Sequence, residues 1–444
     1  MKQTILTMVI ALMISAAGTA RELTEGQILS QLDTRIERYR KGEVVAKLYQ
    51  PDGKPLAANM TVKISMVRHK FLFGCNIFKY QRCQTAEHNQ LYEKHYADLL
   101  NYATLPFYWW NYTKEQGRPA DDRTEAIAKW CLAQNITMKG HPLAWNYVEP
   151  KWLPADPAAA MQEQLKRIER CVGKFKGTID IWDVVNEATH YDRPFCLQRA
   201  PKLTQAIKEM GIGEYVRQAF QAARKANPNA ILVINDYRTD PAFIDKVLSK
   251  LVDDKGKALY DVIGIQSHMH GGYWGAKKTW DVCERYAKFG VPIHFTETTV
   301  VSGTKPEEKG VPWKTNSQGE HTQNKHVTEF YRVLFSHPSV EAITWWDFSD
   351  QNAWQGAPAG MLRADMQPKR VYYTLRNLIK RTWWTPLQSV VLGPGGTARF
   401  RGFLGDYRVM VTIGRQRLVG TFPMEKRSKH TVEVKLEEYK PPKR

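Results

Sequence analysis

Hydrophobic positions change their spacing along this chain, and each change marks a different kind of element. Between residues 21 and 42, Ile28, Leu32, Ile36 and Tyr39 recur every three or four residues among charges, the period of an amphipathic helix. Residues 44–49 and 61–67 then alternate apolar and polar side chains on either side of Pro51-Asp52-Gly53-Lys54, which predicts a hairpin-like pair of half-exposed strands. From Phe71 short apolar runs alternate with longer helical stretches: 71–77, 102–107, 137–145, 179–185, 230–236, 262–268, 292–296 and 342–348. Such repeated strand–helix units predict an α/β fold with a parallel sheet, and polar and aromatic residues gather at the C-terminal ends of the runs, as in a (β/α)8 TIM barrel. A doubly wound sheet is the alternative, but no Gly-rich phosphate turn follows the first run. After about Pro386 the helical period stops, and the runs 390–392, 397–400, 407–413, 418–422 and 430–436 alternate between Gly turns. They predict a small antiparallel β module, to which the strands of residues 43–68 are candidates to pair because chain ends often lie close together. The expected organisation is a targeting segment at 1–20, an N-terminal helix and strands at 21–70, a barrel at 71–385 and the β module at 386–444.

Composition adds an address and removes some functions. Lys2, the apolar stretch 5–17 and the small residues Gly18-Thr19-Ala20 form a secretory signal peptide, too short to cross a membrane comfortably. The expectation is a secreted or periplasmic protein without a membrane span. Export permits disulfides among Cys75, Cys83, Cys131, Cys171, Cys196 and Cys283, but the spacing fixes no pairing and contains no CxxC. A hydrophobic content of 43% with 25% charged residues is ordinary globular composition, which supplies a sizeable core and does not suggest disorder. The net charge of +19 suits an acidic polysaccharide, a negative envelope or nucleic acid. The basic residues are scattered, with a modest cluster at Lys426, Arg427 and Lys429, and no nucleic-acid motif is present, so nucleic acid is not an expected partner.

Chemistry is written most clearly in Ile181-Trp182-Asp183-Val184-Val185-Asn186-Glu187. Alone, Asn-Glu reads more readily as a helix N-cap followed by a Glu that favours the helix dipole. At the C-terminal end of a buried strand, however, a carboxylate occupies the place where barrel enzymes keep their active sites. A second carboxylate, Glu297, ends the run Ile293-His294-Phe295-Thr296. Glycoside hydrolysis needs such a pair, one protonated to serve the leaving oxygen and one ionised to attack. At about 5–5.5 Å apart the two cannot both ionise easily, which separates their roles.

Ordered segments make the resemblance specific. Gly140-His141-Pro142-Leu143-Ala144-Trp145, Trp182 to Glu187, Asn235-Asp236-Tyr237, Gln266-Ser267-His268, Thr296-Glu297, and Trp346 with Asp350 and Trp354 together resemble glycoside hydrolase family 10, the xylanase-like (β/α)8 barrels of clan A. The resemblance implies Glu187 as acid/base, Glu297 as nucleophile, and double displacement with retention. It further implies that Asn186 hydrogen-bonds the sugar 2-OH, that His268 orients the nucleophile with Gln266 as a polar neighbour of the acid/base, and that His141, Trp145, Trp346 and Trp354 contact the sugar. The substrate would be a β-linked polysaccharide or oligosaccharide, xylan by default, with no cofactor and no metal; the oligomeric state is left open.

The chain also departs from that pattern. The family's Thr-Pro-Glu-Asn-x-x-Lys-Trp stands here as Thr104-Leu105-Pro106-Phe107-Tyr108-Trp109-Trp110-Asn111, so the sugar-gripping Glu, Asn and Lys fall on Pro106, Phe107 and Trp110 and are expected to become apolar or aromatic surface. Asn146 replaces a His, and Thr299 replaces the Asp that would partner His268. These changes keep two further readings in play: a carbohydrate-binding barrel without turnover, and a glycosidase for a non-xylan, acidic glycan. A metal site built from His268, His270 and His294 is a third.

Overall fold

The computed structural model describes residues 22–440 apart from Lys309, Gly310 and Lys426, so the signal segment expected at 1–20 lies outside the described residues. The predicted N-terminal helix is two, Glu25–Ser30 and Leu32–Arg40, broken at Gln31. Thr24 and Gln27 open the first with a reciprocal capping box. Arg40 at the end of the second is buried and donates to the carbonyls of Phe335, His337 and Val340, tying the helix beneath the barrel.

In chain order the strands are β1 (Lys41–Tyr49), β2 (Thr61–His69), β3 (Leu72–Asn76), β4 (Tyr102–Pro106), β5 (Thr137–His141), β6 (Ile181–Asn186), β7 (Ile231–Asp236), β8 (Val262–Met269), β9 (Ile293–Val300), β10 (Val340–Trp345), β11 (Gln388–Val391), β12 (Thr397–Phe403), β13 (Gly405–Ile413), β14 (Gln416–Met424), β15 (His430–Lys435) and β16 (Glu437–Glu438). Strands β3 to β10 pair in sequence, all parallel, and β10 closes on β3. The eight apolar runs are therefore the eight staves of a TIM barrel.

The terminal segments do join, but not as a hairpin. β1 pairs antiparallel with β12 and parallel with β15, while β2 pairs antiparallel with β11 and β13 in a second sheet. Both strands carry a buried apolar face, Val44, Ala46 and Leu48 on one and Val62, Ile64 and Met66 on the other. Placing them in separate sheets around one core buries both faces, whereas a lone hairpin would leave them without cover.

Inside the barrel, Tyr102, Ile181, Val233, Val262 and Ala342 form an apolar plug near the N-terminal strand ends. The fully buried Lys139 and Asp183 also lie in this interior, with Nζ and Oδ2 2.6 Å apart. Gly140 is required between them in sequence: a Cβ there would run into the ring of the fully buried Trp182. All six cysteines are free thiols, five of them buried. No helix among the described residues is long and apolar enough to cross a membrane.

Candidate active site

At the C-terminal mouth of the barrel the chain leaves β6 through a left-handed residue. Glu187 has φ 56° and ψ 40°, a conformation uncommon for a side chain with a Cβ and often associated with functional sites. Its N–H donates to the Asn235 carbonyl at 2.8 Å, fastening this kink to the end of β7. The carboxyl is nearly buried: Oε1 accepts from Gln266 Nε2 at 3.2 Å and Oε2 from Arg193 Nη2 at 2.7 Å.

Glu297, on β9, is buried and connected to Glu187 by amides. Asn235 Nδ2 donates both to Glu297 Oε1 at 2.9 Å and to Asn186 Oδ1 at 2.7 Å, and Gln266 Nε2 donates to the same Asn186 oxygen at 3.2 Å. Two donors on Oδ1 fix the Asn186 amide and leave its N–H groups available to a ligand hydroxyl. The second Glu297 oxygen lies 3.1 Å from His268 Nε2. Burial opposes ionisation of Glu297, but the His268 hydrogen bond and the charges of His141, His268 and Lys139 outweigh it, holding the carboxyl below its usual range. The group is thus set up as a carboxylate.

Two histidines flank Glu297 and differ in what orients them. His141 Nδ1 donates to Asp183 Oδ2 at 2.7 Å, and its Nε2 lies 3.9 Å from Glu297 Oε1. Burial raises the Asp183 carboxyl, but the Lys139 charge and the His141 hydrogen bond bring it below the ordinary range. His268 Nδ1 lies 2.9 Å from Thr299 Oγ1, so the missing carboxylate partner is replaced by a hydroxyl. With Nε2–H directed at Glu297 Oε2, this hydroxyl is the side chain that meets Nδ1. Trp346 stands edge-on to both rings, with centroids 5.4 Å from His141 and 5.7 Å from His268, and Trp354, 43% exposed, covers His268 at 4.6 Å. Glu187, Glu297, Asn186, Gln266, His141, His268, Trp346 and Trp354 therefore share one mouth.

Trp145 lies at the rim of this group, stacked on Tyr147 at 4.2 Å and 6.0 Å from Tyr108. Asn146 is turned away and clamps the Tyr191 carbonyl and the Thr204 hydroxyl. The expected aromatic surface from Phe107 is not formed: Phe107 is fully buried against Tyr112, Phe175 and Trp182. An alternating strand end sends adjacent residues to opposite sides, so Phe107 faces the core and Tyr108 takes the mouth, edge-on to His141 at 5.5 Å. Burial and the negative charges of Glu297 and Glu187 push the Tyr108 phenol well above its ordinary range, so it stays protonated.

Tyr108, Arg193 and the amide role of Asn235 were not singled out from sequence. Asn235 lay within a matched segment, which was a usable signal; Arg193, six positions beyond Glu187, follows no spacing rule. The metal reading does not hold. His268 and His270 are neighbours, with centroids 5.9 Å apart, but His294 lies inside the barrel against Tyr102. Among the described residues no group of three or more His, Cys, Asp or Glu is placed to hold a metal ion.

Comparison with known proteins agrees with this geometry. The model of glycosyl hydrolase family 10 matches residues 64–378. Among curated relatives, the anti-sigma-I factor RsgI6 of Acetivibrio thermocellus is 25% identical over 394 residues, covering 87% of this chain and 47% of the relative. This chain thus spans about half the length of that relative. Endo-1,4-beta-xylanase B of Thermotoga neapolitana is 29% identical over 296 residues, 61% of this chain and 78% of the relative. Xylanase 10B from Thermotoga petrophila, solved in complex with xylobiose, superposes with a TM-score of 0.58 at 23% identity, covering 70% of this chain and 95% of the other. A family model spanning well over half the sequence, on a barrel of this form, places the chain in glycosyl hydrolase family 10.

Proposed function

We propose that this protein is a retaining β-glycosidase that cuts O-glycosidic bonds in a β-linked, xylan-type polysaccharide. The observation that carries the reading is the amide bridge holding Glu187 and Glu297 over one mouth through Asn186, Asn235 and Gln266. In the first step a Glu297 oxygen attacks the anomeric carbon, the glycosidic C–O bond breaks, and Glu187 gives its proton to the leaving oxygen. In the second, Glu187 removes a proton from water, the water oxygen bonds to the anomeric carbon, and the bond to Glu297 breaks. Two inversions retain configuration. Asn186 N–H groups would meet the 2-OH, His268 would hold the nucleophile, and Trp346 and Trp354 would pack on the sugar faces.

Digestion of xylan and xylo-oligosaccharides, with the anomer of the first product read by NMR, tests this. Retention is expected, with a loss of about 10²–10⁴ in kcat for Glu187→Gln on an unactivated substrate. An inverted product, or Glu187→Gln and Glu297→Gln variants as active as the parent, would refute it. The protein is further proposed to act after export, for which the N-terminus of the mature protein should begin near Arg21.

A second reading, a carbohydrate-binding barrel without turnover, is favoured by two features. Arg193 ties up the carboxyl proposed as the acid, and the 25%-identical relative bears the name of an anti-sigma factor. Sugar binding with no product across a panel of β-glycans would support it.

A further inference from the structure

Behind Tyr108 a cavity of about 330 Å³ opens beside the catalytic mouth. Its walls come from the segments after β3 and β4, the helix Asp121–Ala133 included, and contain Phe78, Tyr108 and Asn111. Glu187 and Arg193, by contrast, stand beyond β6. A proton donor must face the leaving oxygen, so the leaving group lies toward β6 and β7, and the cavity lies on the glycone side. Phe78 and Tyr108 meet edge to face at 5.6 Å, and Phe78 also meets Trp346 at 5.5 Å, so one aromatic wall runs from the mouth into the cavity.

The charge of this cavity is one-sided. Arg82, Lys114 and Arg123 line it, and no Asp or Glu is among the residues that do. Cations nearby are neutralised, Arg118 by Glu115 at 3.0 Å and Lys174 by Glu125 at 2.7 Å. Among the described residues Arg82, Lys114 and Arg123 form no ion pair with a carboxylate. Arg123 is anchored, Nη2 donating to the carbonyls of Phe78 at 3.2 Å and Tyr80 at 3.1 Å, which fixes its guanidinium in the wall. Three like charges gathered in a concave, partly aromatic wall repel one another, and an anion relieves that repulsion while accepting hydrogen bonds from the guanidinium groups.

We propose that this cavity is a subsite for an anionic substituent, a uronate carboxylate or a sulfate ester, on the glycone side of the bond that is cut. The aromatic wall holds the sugar ring and the three cations hold its charge. The direction of the glycan rests on the glycosidase reading, whereas the anion selectivity of the cavity is tested without turnover.

The test is calorimetric titration of the full chain carrying Glu297→Gln with a xylotetraose bearing a glucuronate branch, its carboxyl-reduced counterpart and a sulfated counterpart. At least one anionic compound is expected to bind about tenfold or more tightly than the neutral one, with the advantage shrinking as salt is raised. Arg82→Ala with Lys114→Ala, both at exposed positions, should remove that advantage without shifting the melting temperature. Preference for the glucuronate compound identifies a carboxylate site, and preference for the sulfated compound a sulfate site. Equal affinities, no binding of any compound, or an advantage that survives the double substitution would overturn the proposal. Product release by the unsubstituted chain is read separately: binding of the acidic compound without cleavage refutes the reaction and leaves the anion site standing.

Discussion

The buried pair Lys139–Asp183 offers the sharpest separation of stability from catalysis. Both side chains are fully buried, their charged atoms are 2.6 Å apart, and the same Asp183 oxygen accepts from His141 Nδ1 at 2.7 Å. Asp183→Asn leaves the Lys139 ammonium in the barrel interior without its contacting carboxylate. Removing one member of a buried pair costs about 3–5 kcal/mol, whereas replacing both by apolar groups of similar volume is often neutral or stabilising. At roughly 2 °C per kcal/mol for a chain this large, Asp183→Asn should melt about 6–10 °C below the parent at pH 7. Lys139→Met with Asp183→Leu should recover most of that loss. Asp183 is held below its ordinary carboxyl range, so it contributes stability above the unfolded value of about 3.9 and loses it as pH falls through the lower folded value. The gap between Asp183→Asn and the parent should therefore narrow below about pH 4. Activity should not follow stability: the double variant lets His141 rotate beside Glu297, and kcat should fall although the fold is restored. Thermal unfolding by circular dichroism and steady-state kinetics on xylo-oligosaccharides measure the two effects. An Asp183→Asn variant within about 1 kcal/mol of the parent, or a double variant no more stable than the single one, would refute the reasoning.

Other sites give independent expectations. Burial raises Asp236 to about 6 against an ordinary 3.8, so its folded form favours the proton and stability is lost as pH rises from about 4 through 6. Between pH 4 and 7 the parent should therefore lose up to about 3 kcal/mol of unfolding free energy in urea through this group, taking 2.2 pH units at 1.36 kcal/mol each, and Asp236→Asn should lack that step although its amide nitrogen cannot accept from the Thr189 or Arg238 N–H. Thr299→Val removes the hydroxyl on His268 Nδ1 and should lower kcat about five- to tenfold, whereas Thr299→Ser should keep it near the parent value. Gly140→Ala drives a methyl into the Trp182 ring and should cost about 1–3 kcal/mol in chemical unfolding.

The barrel was legible because its strands are buried on both faces, so each is a continuous apolar run with breaks at the right spacing. Strand β5 is shorter than the run 137–145 predicts: Pro142 has no N–H to give and interrupts the ladder, after which the Leu143 and Ala144 N–H groups donate to the Asp183 and Val184 carbonyls and Ala144 bridges Val185 in parallel, so pairing with β6 and burial both resume beyond the strand's end. The β1–β2 hairpin failed for a different reason. Alternation reports that one face of a strand is covered and is silent about which strand lies beside it, and here the partners arrive more than 300 residues later, with Val44 opposite Phe400 and Ile64 opposite Val409.

The candidate site divides along the same physical line. Glu187, Glu297, Asn186, His141 and His268 stand at or near strand ends, where the barrel fixes direction, so a residue type at a given distance along the strand already implies where its side chain points. Loop residues carry no such rule. Phe107 and Tyr108 are neighbours of similar character, and which of them faces the mouth depends on where β4 ends, a boundary that a run of apolar letters does not mark. The substitutions at the expected glycone grips therefore have unequal consequences. Phe107 vanishes into the core, while Tyr108 becomes the wall between the nucleophile and a cavity lined by Arg82, Lys114 and Arg123. The mouth that lacks the family's polar grips thus opens beside a charged surface, an arrangement that favours a change in the substrate held over a loss of the reaction.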